Sequence, residues 1–144
     1  MRKTGRIFFS GLLILLFASA GSAFADKPVS LTGTWTGTGN ITIVTAGNPG
    51  TVSTNNTFSI TFTASSTDAN LLYGPLTLTP SSGSAVVTDF SAIRDGKVVS
   101  IVAQDIIIHA HIDCVYANKT ATKIIHISGK NLGDGSQFEG DLTQ

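Results

Sequence analysis

The sequence predicts an all-β protein, an eight-stranded antiparallel up-and-down β-barrel, with a two-sheet β-sandwich as the alternative. Three observations predict it. Apolar and hydroxyl-bearing residues alternate with a period of two. Turn residues recur at roughly ten-residue spacing. The connections are short, which makes sequential strands antiparallel neighbours. With no helix to cover its edges, such a meander favours closure, and no long Greek-key crossover argues for a sandwich.

The first strand, 29–46, is long and interrupted. Leu31, Gly33, Trp35 and Gly37 share one face, against Thr32, Thr34, Thr36 and Thr38, and Ile41 and Ile43 continue it. Gly47-Asn48-Pro49-Gly50 is a turn, with Pro fixing φ and Gly accepting positive φ. The strand at 56–65 alternates most regularly, with Phe58, Ile60, Phe62 and Ala64 opposite Thr57, Ser59, Thr61 and Thr63. At 71–79, Gly74-Pro75 predicts a bend or bulge. Pro80-Ser81-Ser82-Gly83 closes that strand, and 85–93 follows. Asp95-Gly96 makes a hairpin into 97–104, after which come 105–115, a turn at Asn118-Lys119, and 122–128. Asp134-Gly135 turns the chain into a last strand at 137–143.

The N-terminus carries an address. Arg2, Lys3 and Arg6 precede an apolar run, 7–20, and Ala23-Phe24-Ala25 followed by Asp26 is an A-x-A cleavage pattern. Residues 1–25 are therefore expected to be a signal peptide and 26–144 a single domain, secreted or periplasmic. The apolar run is shorter than the roughly 20 residues a spanning helix needs, so no membrane insertion of the mature chain is expected. Cys114, the single cysteine, is far from the cleavage point and cannot form an internal disulfide; a buried place in a strand is expected for it.

Charged residues make up only 12% of the chain. Removing Arg2, Lys3 and Arg6 from nine basic residues leaves six against nine acidic ones, a net charge of −3. Without a basic stripe, nucleic acid is excluded as a partner class.

Leu31-Thr32-Gly33-Thr34-Trp35 resembles the first strand of calycin barrels, the superfamily of lipocalins and avidins, where Gly-x-Trp closes the barrel floor. The likeness to avidins extends to Ile43-Val44-Thr45-Ala46-Gly47. It implies a barrel fold. It does not imply biotin binding: the chain has one Trp, and Asn56 stands where avidins place a Tyr. Calycins stack a late basic residue on the floor Trp; the one mature Arg, Arg94, is mid-chain, which leaves that role open or gives it to Lys130.

Inward-facing Trp35, Phe58, Ile60, Phe62, Leu76 and Leu78 are the candidate residues for holding a small apolar ligand. His109 and His111 share a strand face with Asp105 and Asp113. A two-residue turn at Asn118-Lys119 sets His111 opposite His126 and His109 opposite Ser128. His109, His111 and His126 then form a candidate Zn²⁺ site, since a His-x-His strand beside a third His is one way a sheet holds zinc. The competing reading makes them the solvated face of a strand whose other face is Ile106, Ile108, Ala110 and Ile112. Glu139 and Asp141 read as a solvated face opposite Phe138 and Leu142. No serine lies in a Gly-x-Ser-x-Gly elbow.

The order of expected functions is a non-enzymatic barrel binding an apolar ligand; then a structural or interaction protein, a homo-oligomer acting through its outer face; and third a metal enzyme using the three histidines. No resident cofactor is expected.

Overall fold

The computed structural model describes residues 29–45, 47–117 and 120–144; the expected signal peptide lies outside them. The eight strands are β1 (Gly33–Thr45), β2 (Asn48–Ala64), β3 (Leu71–Thr79), β4 (Val86–Asp95), β5 (Val98–Ala103), β6 (Ile106–Ala117), β7 (Thr120–Asn131) and β8 (Gln137–Thr143). Each pairs antiparallel with its sequence neighbours, and β1 pairs with β8 to close the barrel. The sandwich alternative is thereby set aside: the eight strands of the described residues form one closed sheet.

Period-two alternation builds the interior. β5 reads Val98–Ala103 with every second residue buried. Trp35, Phe58, Ile60, Phe62, Leu76 and Leu78 are 0–8% exposed and belong to one core cluster. The rings of Phe62 and Phe90 meet edge to face at 5.3 Å, and those of Phe58 and Phe138 lie 5.8 Å apart. Glycines make room for the latter pair: a Cβ at Gly129 would lie 2.2 Å from the Phe138 ring, and one at Gly39 would lie 2.7 Å from Phe58.

Strand boundaries differ from the sequence reading where local propensity yields to pairing. β2 begins at Asn48 instead of 56, because 51–53 pair with Ile41–Ile43 and extend the β1–β2 hairpin. β1 begins at Gly33; the segment before it caps one end of the barrel. Leu31 is 2% exposed there, and its carbonyl accepts the Trp35 indole N–H at 2.8 Å. The expected break at Gly74-Pro75 is present. The β2–β3 ladder is interrupted there, and Gly74 has φ +150° with its Cα against the Thr61 carbonyl. Asn56, fully buried next to Asn55 at φ +59°, donates to the Gly39 and Ser53 carbonyls and accepts from Ser81 N, which satisfies the backbone at the irregularity after Gly39.

β6 and β7 run past their neighbours. The β5 ladder ends at Val98–His111 and the β8 ladder at Ile125–Leu142, so 113–117 and 120–124 project as a two-stranded extension. Cys114 lies in it and is half-buried, not buried as the sequence suggests, because neither neighbouring strand reaches that far.

Candidate functional site

The outer face of β6, β7 and β8 gathers the ionisable side chains. Ile108, Ala110, Ile112, Ile125 and Ile127 are buried, so alternation turns His109, His111, Asp113 and His126 outward. The expected register holds: His111 faces His126 and His109 faces Ser128. β8 adds a third row, with Asp141 opposite His126 and Glu139 opposite Ser128.

These groups are in contact. His126 Nδ1 is 2.5 Å from Asp141 Oδ1. The other nitrogen of the same ring, Nε2, is 3.4 Å from Asp113 Oδ2, and His111 Nε2 is 3.3 Å from Asp113 Oδ1. Asp113 thus stands between two imidazoles, and Asp141 holds one of them from behind. All four side chains are 44–67% exposed. Exposed pairs of this kind add only about 0–1 kcal/mol each to stability. His111, His126 and Asp141 border a groove of about 570 Å³ on the outer wall, lined also by His109, Glu139, Asn40 and Thr38. As the side chains stand, no group of three or more His, Cys, Asp or Glu among the described residues is arranged to hold a metal ion. His109 shares the groove, but its strand neighbours are Ser128 and Ser100.

The role of Asp113 is partly visible in the sequence, since it shares a face with His111. The Asp141 contact is not. It depends on the β7–β8 register, and the connection between those strands is too long for turn geometry to fix it. Within that connection Asp134 accepts hydrogen bonds from Ser136 Oγ at 2.6 Å and Ser136 N at 2.8 Å. These bonds, the side-chain one first, hold its carboxyl below the usual carboxylate value.

The basic residue at the Trp35 end of the barrel is Arg94, not Lys130. Arg94 donates to the Val29 and Gly96 carbonyls, which ties the N-terminal segment across that end. Lys130 pairs with Ile107 and Gln137 near the opposite end.

Two further concavities lie away from the histidines. One, of about 200 Å³ at the end opposite Trp35, is lined by Ile41, Leu78, Ile106 and Phe138 with Asp134 and Ser136 at its rim. The other, of about 470 Å³, lies on the outer wall of β3–β5, where Leu71, Tyr73, Ile93 and Val102 surround Ser91 and Ser100. No charged residue lines it.

Fold and surface together define a closed up-and-down barrel whose inside is occupied by its own side chains and whose larger concavities face outward. No protein-family model matches the chain, and no curated protein matches it.

Proposed function

We propose that this chain is an exported, non-catalytic β-barrel that acts through its outer wall as an interaction or structural subunit, its partner a second copy of itself. One observation carries the reading. The six residues that would have to line an internal ligand site, Trp35, Phe58, Ile60, Phe62, Leu76 and Leu78, instead pack against one another and their neighbours as core. The outer wall, by contrast, exposes large apolar side chains: Ile93 at 62%, Val102 at 55% and Tyr73 at 51%. Because their concave patch carries no charge, two copies can meet there without like charges being pressed together, even at the net charge of −3 left once residues 1–25 are removed. The signal-like N-terminal pattern supports export, and the closed wall with Trp35 at one end supports the calycin-like resemblance.

The test is light scattering on the purified chain. Wild type should be a dimer at micromolar concentration, and Ile93→Glu with Val102→Glu should be a folded monomer. A monomeric wild type up to a few hundred micromolar sinks the reading.

A second reading, binding of an apolar ligand, is favoured by the cup at the Leu78–Phe138 end. Its volume of about 200 Å³ is below the usual range of roughly 300–1,000 Å³ for ligand pockets. It suits a small apolar group or the tip of a chain. Native mass spectrometry of protein from its own host, with and without Leu78→Trp to fill the cup, tests it.

A further inference from the structure

We infer that the open edge of β6 at 114–117 is a docking surface for a second copy of this chain, which adds its own β6 edge antiparallel, about a two-fold axis at Val115. This contact is separate from the β3–β5 patch and does not rest on it.

The direction of the backbone groups comes first. Ile112 N–H donates to the Lys97 carbonyl on the β5 side, and Leu132 N–H donates to the Asp105 carbonyl across β6 and β7. In an antiparallel strand successive residues bond to opposite sides. Even residues of β6 therefore face β5 and odd ones face β7. Past His111 the β5 ladder has ended, so the N–H and C=O of Cys114 and Tyr116 face an open edge. Asp113, Val115 and Ala117 stay paired with Ile124, Thr122 and Thr120 of β7. Sheets guard such edges with charge, Pro or a bulge. The other edges left open by the two overhanging hairpins are guarded in this way. Lys123 stands at the β7 edge, and Pro49 lies where β2 runs past β3. β1 is irregular between Ile43 and Thr45, beyond the end of its β8 ladder. Residues 114–117, Cys-Val-Tyr-Ala, have no charge, no Pro and no register shift.

The edge also specifies its occupant. Only even residues can bond across it, so a two-fold partner must set even against even. An axis at Val115 does so: Cys114 of each copy meets Tyr116 of the other and exchanges both backbone bonds with it. Val115, 47% exposed, meets the Val115 of the second copy as a non-hydrogen-bonded pair. That is the closer kind, with Cα atoms about 4.5 Å apart, and β-branched side chains suit it. Asp113 falls opposite Ala117, so no carboxylate faces its own copy. An axis one residue earlier would call on the Ile112 N–H, which Lys97 already holds. A two-stranded ribbon alone is marginal in water. Joining two of them by their β6 edges makes a four-stranded sheet, and the isologous contact closes on itself.

So short an edge buries little area, and the pairing is expected at millimolar and not at micromolar concentration. Amide hydrogen exchange tests it in the chain carrying Ile93→Glu and Val102→Glu, so that the β3–β5 contact plays no part. A reductant is present to exclude a disulfide between copies through Cys114. From tens of micromolar to millimolar chain, the Cys114 and Tyr116 amides should slow about fivefold or more. The Ala121 and Lys123 amides, which face the β7 edge, should keep their rates. Cys114→Pro removes an edge donor, takes no bond from the β6–β7 ladder, and should abolish the concentration dependence at Tyr116. Should that variant fail to fold, Val115→Lys sets like charges opposite each other across the axis and should abolish it too. Exchange that does not change with concentration overturns the inference, whether the edge stays in water or takes another protein's strand. So does slowing at Ala121 and Lys123 in place of Cys114 and Tyr116, or a dependence that survives Val115→Lys.

Discussion

The two faces of the β6–β7 hairpin are built from the same twenty-odd residues of chain and obey opposite rules. Inside, Ile108, Ala110, Ile112, Ile125 and Ile127 are at most 3% exposed and surrounded by other strands' side chains. Outside, the alternate residues meet water and one another, as His111 and His126 meet across Asp113. What differs is how far a change travels. An inner residue belongs to the one core that all eight strands share, so its loss is felt by the whole barrel. An outer one touches only its neighbours on the same sheet, so its loss is local in energy and its consequence lies in what the surface recognises.

The largest effect that sharpens this contrast is expected at Phe58. It is fully buried and packs against Phe138, whose strand β8 lies on the other side of β1. Phe58→Ala should destabilise the fold by about 3–5 kcal/mol in urea denaturation, through lost burial and the cavity left behind. A loss under about 1 kcal/mol would mean that the interior is loosely filled, and would return the internal-ligand reading to first place.

Overfilling should cost less than emptying. Gly129→Ala puts a methyl group where the Phe138 ring lies, which forces the ring and its neighbours to shift at about 1–3 kcal/mol. Phe138→Leu in the same background should recover part of that loss. Strictly additive effects would show that the ring and the glycine are not coupled.

On the outer wall, Ile93→Thr with Val102→Thr keeps strand-forming side chains and removes apolar surface. Stability should stay within about 0.5 kcal/mol of wild type, while light scattering reads the change in self-association. A large stability loss would erase the distinction between the faces.

Much of this contrast is legible in the sequence, for a definite physical reason. A strand's side-chain period is fixed, so burial of Phe58, Ile60 and Phe62 follows from their spacing alone. The His111–His126 pairing follows equally from reading a two-residue turn at Asn118-Lys119; those two residues lie outside the described ones, and the pairing of Ala117 with Thr120 is the register that reading expects. What is not legible depends on longer connections or on pairing demands from other strands. The start of β2 at Asn48 is set by the need of Ile41 and Ile43 for partners, which overrides the Asn48-Pro49-Gly50 turn signal. The Asp141–His126 contact needs the β7–β8 register. Arg94 lies mid-chain, and only the barrel's closure brings it to the N-terminal segment.

The smallest expected effect concerns the β7–β8 connection, where the outer-face rule can be tested by acid. Asp134 is exposed, and its carboxyl is held below the ordinary value first by the Ser136 hydroxyl and then by the Ser136 backbone N–H. A depressed folded value means that the carboxylate form favours the folded chain. That contribution is fully present above the unfolded carboxylate value of about 4. It is lost as pH falls through the lower folded value. Ser136→Ala removes the larger cause and keeps the backbone bond, so the Asp134 titration, followed by carboxyl ¹³C shifts, should move part of the way back up. Stability at neutral pH should fall slightly, and the difference from wild type should vanish in strong acid. The two backbone bonds that close this connection, Asn131 N to Ser136 O and Gly135 N to Asn131 O, do not involve the Ser136 hydroxyl and should survive. A variant whose whole barrel loosens, with Phe138 and Ile127 amides exchanging faster, would show that this turn is coupled to the core and that the outer face does not act locally here.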